Sequence, residues 1–244
     1  MAMRLDKFLT ELGIGTRSEV KKIIKAKKIQ VNGETVLKPE QKIDENLDKV
    51  SYQGELLTYQ KFEYYLLHKP AGCVTATEDS GHRTVMDYLK NVPRKDLFPV
   101  GRLDLDTEGL LLITNDGKLA HELLSPVKHV PKTYFAKIDG KITTDDAVRF
   151  QEGIDIGEEK PTKPALLEIL SSATESEVYV TITEGKFHQV KRMFHAVGKE
   201  VLYLKRISMG PLMLPHDLEK GCYRPLTEEE ILALRISTGM QETK

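Results

Sequence analysis

The stretch Gly101-Arg102-Leu103-Asp104-Leu105-Asp106-Thr107-Glu108-Gly109 sets three carboxylates and an arginine between two glycines, ahead of the apolar run Leu110-Leu111-Leu112-Ile113. Glycine at both ends favours a shaped loop over a continuous strand. A carboxylate on such a loop can serve as nucleophile or general base. Asp104 and Asp106 could instead bind magnesium, since hard cations choose carboxylates, although no glycine-rich phosphate loop accompanies them. The plainest alternative is an exposed turn with solvated carboxylates.

A second chemistry lies near the N-terminus. The first 38 residues carry nine Lys/Arg against four Asp/Glu, a local charge of +5 in a chain whose 36 basic and 37 acidic residues give −1. Such a surplus suggests a small module that meets a polyanion, nucleic acid above all. Lysines that merely keep a helix soluble are the competing reading. Between Arg17 and Lys28, however, six basic residues face one acid and an Asn-Gly hairpin follows, which favours RNA docking through phosphates.

Cys73 and Cys222 stand alone, so neither a zinc ribbon nor a disulfide framework is indicated, and a reducing, cytoplasmic setting is the default. The segment MAMRLDKFLTELG lacks an apolar signal core, and no apolar run approaches the roughly 18 residues of a membrane span. Secretion and membrane insertion are not expected.

These residues need elements to position them. Leu5, Phe8, Leu9 and Leu12 fall at i, i+3, i+4, i+7, the stripe of a short helix that Gly13 can end. Thr16 and Glu19 have capping-box spacing for a second helix. Val20, Ile23 and Ile24 point inward there, and Lys21, Lys22, Lys25 and Lys28 form a cationic ridge. Ile29–Val31 and Glu34–Val36 flank Asn32-Gly33, a strong hairpin signal. Lys38–Leu57 is polar, and a linker is placed near residue 60.

Beyond it, Tyr64–Leu67, Val74–Thr77, Leu110–Thr114, Thr133–Ile138, Ala165–Leu170 and Glu177–Thr183 read as strands. Asp145–Gln151, His188–Val197 and Glu228–Leu234 carry helical signals. Neighbouring strands are often too close in sequence for βαβ crossovers, so an α+β fold with a largely antiparallel mixed sheet is expected.

Four blocks give the chain a specific resemblance. GRLDLDTEGLLLITNDG, residues 101–117, resembles the active-site motif of RNA pseudouridine synthases, in the branch named for the small-ribosomal-subunit enzyme. Residues 1–45 resemble the S4 RNA-binding module, Lys132-Thr133-Tyr134 matches the family's Lys-x-Tyr, and Glu184–Phe194 matches its third motif. The resemblance spans nearly the whole chain. It implies an S4-like domain over residues 1–60 and a catalytic domain over 61–244.

The resemblance implies that Asp104 is the catalytic aspartate that isomerises uridine to its C-glycoside, either as nucleophile at C1′ or C6 or as the base that removes the C2′ proton. No metal or organic cofactor is implied. A desolvated aspartate needs a charged partner to stay ionised, and Lys191 aligns with the family's basic partner. Tyr134 matches the tyrosine expected against the uracil ring. Arg102 would fill the gap left by a flipped nucleotide or hold a phosphate, unless it only pairs with Asp106. Lys186, His188, Gln189 and Arg192 would hold the RNA backbone beside the site, and Arg4, Lys7, Arg17, Lys21, Lys22, Lys25 and Lys28 would dock RNA from the front module.

The family often has an acidic residue where this chain has Pro131. His188-Gln189-Val190-Lys191-Arg192 and Tyr223–Glu230 are similar to the small-subunit branch. The expected partner is therefore small-subunit ribosomal RNA, free or in an assembling subunit, met by a monomeric cytoplasmic enzyme. Competing readings are a large-subunit target, a catalytically silent RNA-binding assembly factor, and a metal-dependent nuclease or phosphotransferase.

Overall fold

A computed structural model describes residues 2–45, 47–90 and 92–240. The chain divides into two units, Met1–Glu63 with Asn91–Leu97 and Tyr64–Lys90 with Phe98–Lys244.

In the first unit, β1 (Ala2–Arg4) leads into α1 (Leu5–Glu11), whose Leu5, Phe8 and Leu9 are buried. Helix α2 (Arg17–Lys25) starts at a capping box. Glu19 accepts from the Thr16 backbone at 2.8 Å, and Thr16 Oγ1 accepts from the Glu19 backbone at 3.4 Å. Each such cap stabilises a helix by about 1 kcal/mol. Strands β2 (Ile29–Val31) and β3 (Glu34–Thr35) pair through Asn32 and Gly33, both at positive φ, as a type I′ turn requires.

Composition indicated no element in Lys38–Leu57, yet that stretch supplies β4 (Lys42–Asp44) against β1, β5 (Val50–Tyr52) against β2, and β6 (Glu55–Leu56). Strands of two or three residues bury only Ile43 and Val50, too few positions to reveal a period. The second stretch of this unit contributes Arg94, which pairs with Asp96 at 2.7 Å and donates to the Gln60 carbonyl at 3.0 Å.

In the second unit, β7 (Tyr64–Lys69), β8 (Phe98–Pro99), β9 (Glu108–Thr114), β10 (Lys132–Asp139), β11 (Leu166–Ser171), β12 (Glu175–Ile182), β13 (Glu200–Met209), β14 (Leu212–Met213) and β15 (Tyr223–Pro225) form one sheet. Its main order is β11-β12-β10-β13-β9-β7-β15, antiparallel throughout except for the parallel pair β13–β9. Helices α3 (Gly117–Leu124), α4 (Thr144–Glu152), α5 (Gln189–Ala196) and α6 (Glu228–Ser237) complete the unit.

Strand β10 alternates strictly, with Lys132, Tyr134, Ala136 and Ile138 on the buried face. Their β12 partners there are Ile182, Val180, Val178 and Ser176. This face packs on Phe150 of α4 and on Val190, Met193 and Phe194 of α5, with the Phe150 and Phe194 rings 4.8 Å apart. Each fully buried aliphatic or aromatic side chain contributes about 1.5–3 kcal/mol. The core thus fixes α5 against the strand that carries Tyr134.

The expected strand at Val74–Thr77 is absent: Val74 makes an isolated bridge to Thr84. Helix α3 and the ten-residue β13 were not foreseen. Asp116 caps α3 by accepting from the Leu119 backbone at 3.0 Å, and the Asn-Asp-Gly that read as a strand end also begins a helix.

Candidate active site

A cleft of about 840 Å³ opens in the second unit where the β10–β12–β13 face runs out. The Gly101–Thr107 loop, Val74–Ala76 and the Gly185–Lys191 turn wall it. Two side chains hold the loop in shape. Thr75 Oγ1 donates to the Leu103 carbonyl at 2.8 Å and accepts from the Leu103 backbone at 3.1 Å. Lys69, fully buried at the end of β7, donates to the carbonyls of Thr107 (2.8 Å), Asp104 (3.0 Å) and Pro70 (3.1 Å). Burial pulls the Lys69 ammonium below its ordinary range, partly offset by Cys73, Asp106 and Asp104.

The loop presents Asp104 to a lysine and a histidine. Lys191 Nζ lies 3.6 Å from Oδ2, and His188 Nε2 lies 3.5 Å from Oδ1. The Asp104 side chain is 26% exposed, so the carboxylate is sheltered yet reachable. The expected Lys191 partnership needs one correction: Nζ sits closer to Asp106, at 2.6 and 2.7 Å from its two oxygens. Desolvation raises the Asp106 carboxyl, but the Lys191 hydrogen bonds and charge outweigh it and hold the group below the ordinary carboxylate range. The Lys191 ammonium faces both carboxylates that a metal would use, and among the described residues no cluster of three His, Cys, Asp or Glu is placed to bind one.

Helix α5 delivers Lys191 and His188 to the same place. His188 precedes the helix at φ 48°, ψ 34°, a left-handed conformation that costs a non-glycine residue about 1–2 kcal/mol. Gln189 stabilises the turn by accepting from the Lys186 backbone at 2.9 Å and donating to Glu184 at 3.1 Å. In this pose the His188 ring stacks on Phe187 with centroids 3.9 Å apart, and Phe187 is 70% exposed at the cleft.

Tyr134 is buried and lines the same cleft, as do Lys132 beside it on β10 and Arg206 across from it on β13. Arg102 is exposed on the cleft wall and has no hydrogen-bond or ion-pair partner among the described residues. Its alternative pairing with Asp106 is not made, because Lys191 takes that carboxylate.

The cleft therefore gathers Asp104, Tyr134, Lys191, Arg102 and His188. Lys186, Gln189 and Arg192, expected to hold the RNA backbone, are each engaged by protein groups. Lys186 donates to the Lys160 carbonyl at 2.9 Å, Gln189 is buried, and Arg192 pairs with Glu158 at 2.7 Å and also bonds the Ile156 carbonyl. These three brace the cleft wall.

In the first unit Arg4 is bidentate to Asp6, and Lys7 lies 3.6 Å from Glu11. Arg17, Lys21, Lys22, Lys25 and Lys28 are exposed. Sequence reasoning passed over Lys69, since Lys-Pro-Ala-Gly reads as turn punctuation. Arg206 was also missed, in a strand whose polar positions hid its inward face.

The fold and this cleft define the class. Residues 63–196 match the RNA pseudouridylate synthase family, and residues 3–48 match the S4 domain. The chain is 48% identical over 231 residues to an uncharacterised RNA pseudouridine synthase of Bacillus subtilis, covering 94% of this chain and 97% of that one. It is 42% identical over 235 residues to ribosomal small subunit pseudouridine synthase A of Escherichia coli K12, covering 95% and 100%. A crystal structure of a pseudouridylate synthase, 40% identical, superposes with a TM-score of 0.67 over 95% of this chain and 99% of that one. The chain belongs to the RNA pseudouridine synthase family and is an isomerase whose partner is RNA. No helix among the described residues is long and apolar enough to cross a membrane.

Proposed function

We propose that the protein converts one uridine of small-subunit ribosomal RNA to pseudouridine in the cytoplasm, with Asp104 as the catalytic carboxylate and no cofactor. The observation that carries this reading is Asp104, held on a clamped loop, facing Lys191 and His188 within 3.6 Å and lining one cleft with Tyr134. The small-subunit target is supported by the name of the Escherichia coli relative.

The reaction breaks the N1–C1′ bond, turns the uracil ring and joins C5 to C1′. Nothing is oxidised and no group enters, so the chain's own side chains suffice. Asp104 attacks the ribose or removes the C2′ proton, with Lys191 facing one of its oxygens and His188 the other. Tyr134 stacks on the extruded ring, worth about 1–3 kcal/mol. Arg102, unpaired at the cleft wall, takes the place of the flipped base or holds its phosphate. Arg17, Lys21, Lys22, Lys25 and Lys28 on the S4-like domain, residues 1–60, grip phosphates elsewhere on the RNA.

Purified protein incubated with separate small- and large-subunit RNA transcripts, then probed by carbodiimide adduct formation and primer extension, tests this. A single stop in the small-subunit transcript is expected. Asp104→Asn should abolish it while RNA binding survives. Modification by Asp104→Asn at the parent rate would remove the aspartate from its role, and a stop only in the large-subunit RNA would change the target.

A further inference from the structure

Two buried cations stand in the cleft without a carboxylate. Lys132 and Tyr134 are two residues apart on β10, so both side chains leave the same face of the sheet. Arg206 of β13 is the register partner of Tyr134. All three line the cleft, with Lys132 7% exposed and Arg206 2%. Lys132 Nζ donates to the Val130 carbonyl at 2.9 Å, and Arg206 Nε to the Leu110 carbonyl at 2.8 Å. Arg206 Nη2 has no partner among the described residues. No acidic side chain forms an ion pair with either cation among the described residues. Burial, and then the charge of Arg206, pull the Lys132 ammonium down to about 8.

Holding two like charges together out of water is costly, and it is relieved when an anion joins them. The reaction proposed above generates one. Heterolysis of N1–C1′ leaves the electron pair on the uracil, spread over N1, O2 and O4. A ring stacked on Tyr134 turns its edges toward the side chains flanking that residue, which are Lys132 along the strand and Arg206 across it. A backbone phosphate fits less well, because the ribose chain would have to follow it into a site where both cations are at least nine-tenths buried.

We propose that Lys132 and Arg206 form an anion subsite that holds the detached uracil ring against Tyr134 while it turns from N1 to C5 attachment. The proposal rests on the roles given above to Asp104 and Tyr134. The N1–C1′ pair goes to the uracil while C1′ bonds an Asp104 oxygen or, after loss of the C2′ proton, becomes part of a glycal. After rotation C5 returns a pair to C1′, any ester oxygen leaves as carboxylate, a proton taken from C2′ is restored, the C5 proton departs and N1 gains one. The two cations exchange no electrons.

Full-length Lys132→Met is compared with the parent protein in single turnovers on RNA carrying uridine or 5-fluorouridine at the target. The fluorinated ring leaves as a weaker base and needs less help, and the readout is loss of the parent nucleoside after nuclease digestion. On uridine the variant should be slower by about 100-fold, with the dissociation constant for RNA within about threefold of the parent. On 5-fluorouridine the deficit should shrink to less than about tenfold. Equal slowing on both RNAs overturns the proposal. So does a weakened dissociation constant with a shallower salt dependence, which would place a phosphate at the pair. Lys132→Gln, which can still donate to Val130, supplies the same comparison should the methionine variant not fold. If Asp104→Asn modifies uridine at the parent rate, the underlying reading fails first, independently of Lys132.

Discussion

Lys191 Nζ lies 2.6 and 2.7 Å from the two carboxylate oxygens of Asp106 and 3.6 Å from Oδ2 of Asp104. The closer carboxylate is the more exposed one, 70% against 26%, so Asp106 anchors the ammonium while Asp104 stays open toward the cleft. Lys191→Met removes the charge from both and should slow pseudouridine formation by about 100-fold or more. Asp106→Asn leaves the lysine in place and should cost about tenfold. Because the pair is exposed on the Asp106 side, its loss should move the melting temperature by no more than about 2 °C. Single-turnover rates on one RNA fragment check this. An Asp106→Asn variant as inert as Asp104→Asn would reverse the two roles.

Lys69 acts on the same loop from below. Its buried ammonium bonds the carbonyls of Pro70, Asp104 and Thr107, so Lys69→Met leaves several backbone acceptors unsatisfied at once. With a cost of about 1–3 kcal/mol for each such group, a loss near 3 kcal/mol and a fall of about 6–12 °C in melting temperature are expected. The variant should also lose activity below its new melting temperature, because the loop that carries Asp104 is no longer held. Unchanged melting by calorimetry would show that the carbonyls find other donors.

What the sequence made legible tracks how local each signal is. The Thr16–Glu19 cap, the Asn32-Gly33 turn and the amphipathic stripe of α5 depend on residues a few positions apart, and all three elements formed. Resemblance brought Asp104, Tyr134 and Lys191 to notice, and the structure gathers them at one cleft. What stayed hidden depends on distant partners. Lys69 meets Asp104 across 35 positions, and Arg206 meets Leu110 across 96, so nothing in their own neighbourhoods marks them as buried. The ion pair of Arg192 was hidden for the same reason, since Glu158 lies 34 positions away.

The pH dependence separates activity from stability. Lys132 holds its proton below about 8, and the charged group facing it is Arg206 from β13. Its direct strand neighbours are Ile182 on β12 and Met209 on β13, with the Val130 carbonyl as hydrogen-bond partner. As pH rises through about 8 the cation is lost, and the single-turnover rate should fall. Folding moves the other way. Between about 8 and the ordinary lysine value of 10.5 the unfolded chain still binds a proton that the folded chain has released, so this group's contribution to stability rises with pH. Lys69, also lowered, acts in the same direction. Cys73, raised by burial, opposes the trend once pH passes the ordinary thiol value of 9.0, and Tyr64, pushed up to about 12 chiefly by burial, does so above the ordinary tyrosine value of 10. Melting temperature should therefore hold or rise from pH 8 to pH 9 while the rate falls. A parallel drop in both would trace the loss to unfolding.

The glycine that closes the motif, Gly109, is required by its neighbour rather than by the chemistry. It sits at φ +109° in β9, where that strand pairs in parallel with β13 beside Arg206. A Cβ placed there would lie 2.6 Å from the Arg206 backbone nitrogen and closer still to its carbonyl oxygen. Both obstacles are main chain in the middle of the sheet, so neither can swing aside, and the backbone angle itself is one that side-chain-bearing residues avoid. Gly109→Ala should therefore force β9 and β13 apart and destabilise the second unit by about 3 kcal/mol or more, combining strain with lost packing. The damage should be specific in place: amide exchange in β9 and β13 should accelerate first, while α2 and the Asn32-Gly33 hairpin of the first unit keep their protection. Because Arg206 and Glu108 flank this crossing, the variant should also lose activity at temperatures where it remains folded. An alanine variant with parent melting and parent exchange in β13 would mean that the two strands can separate without cost.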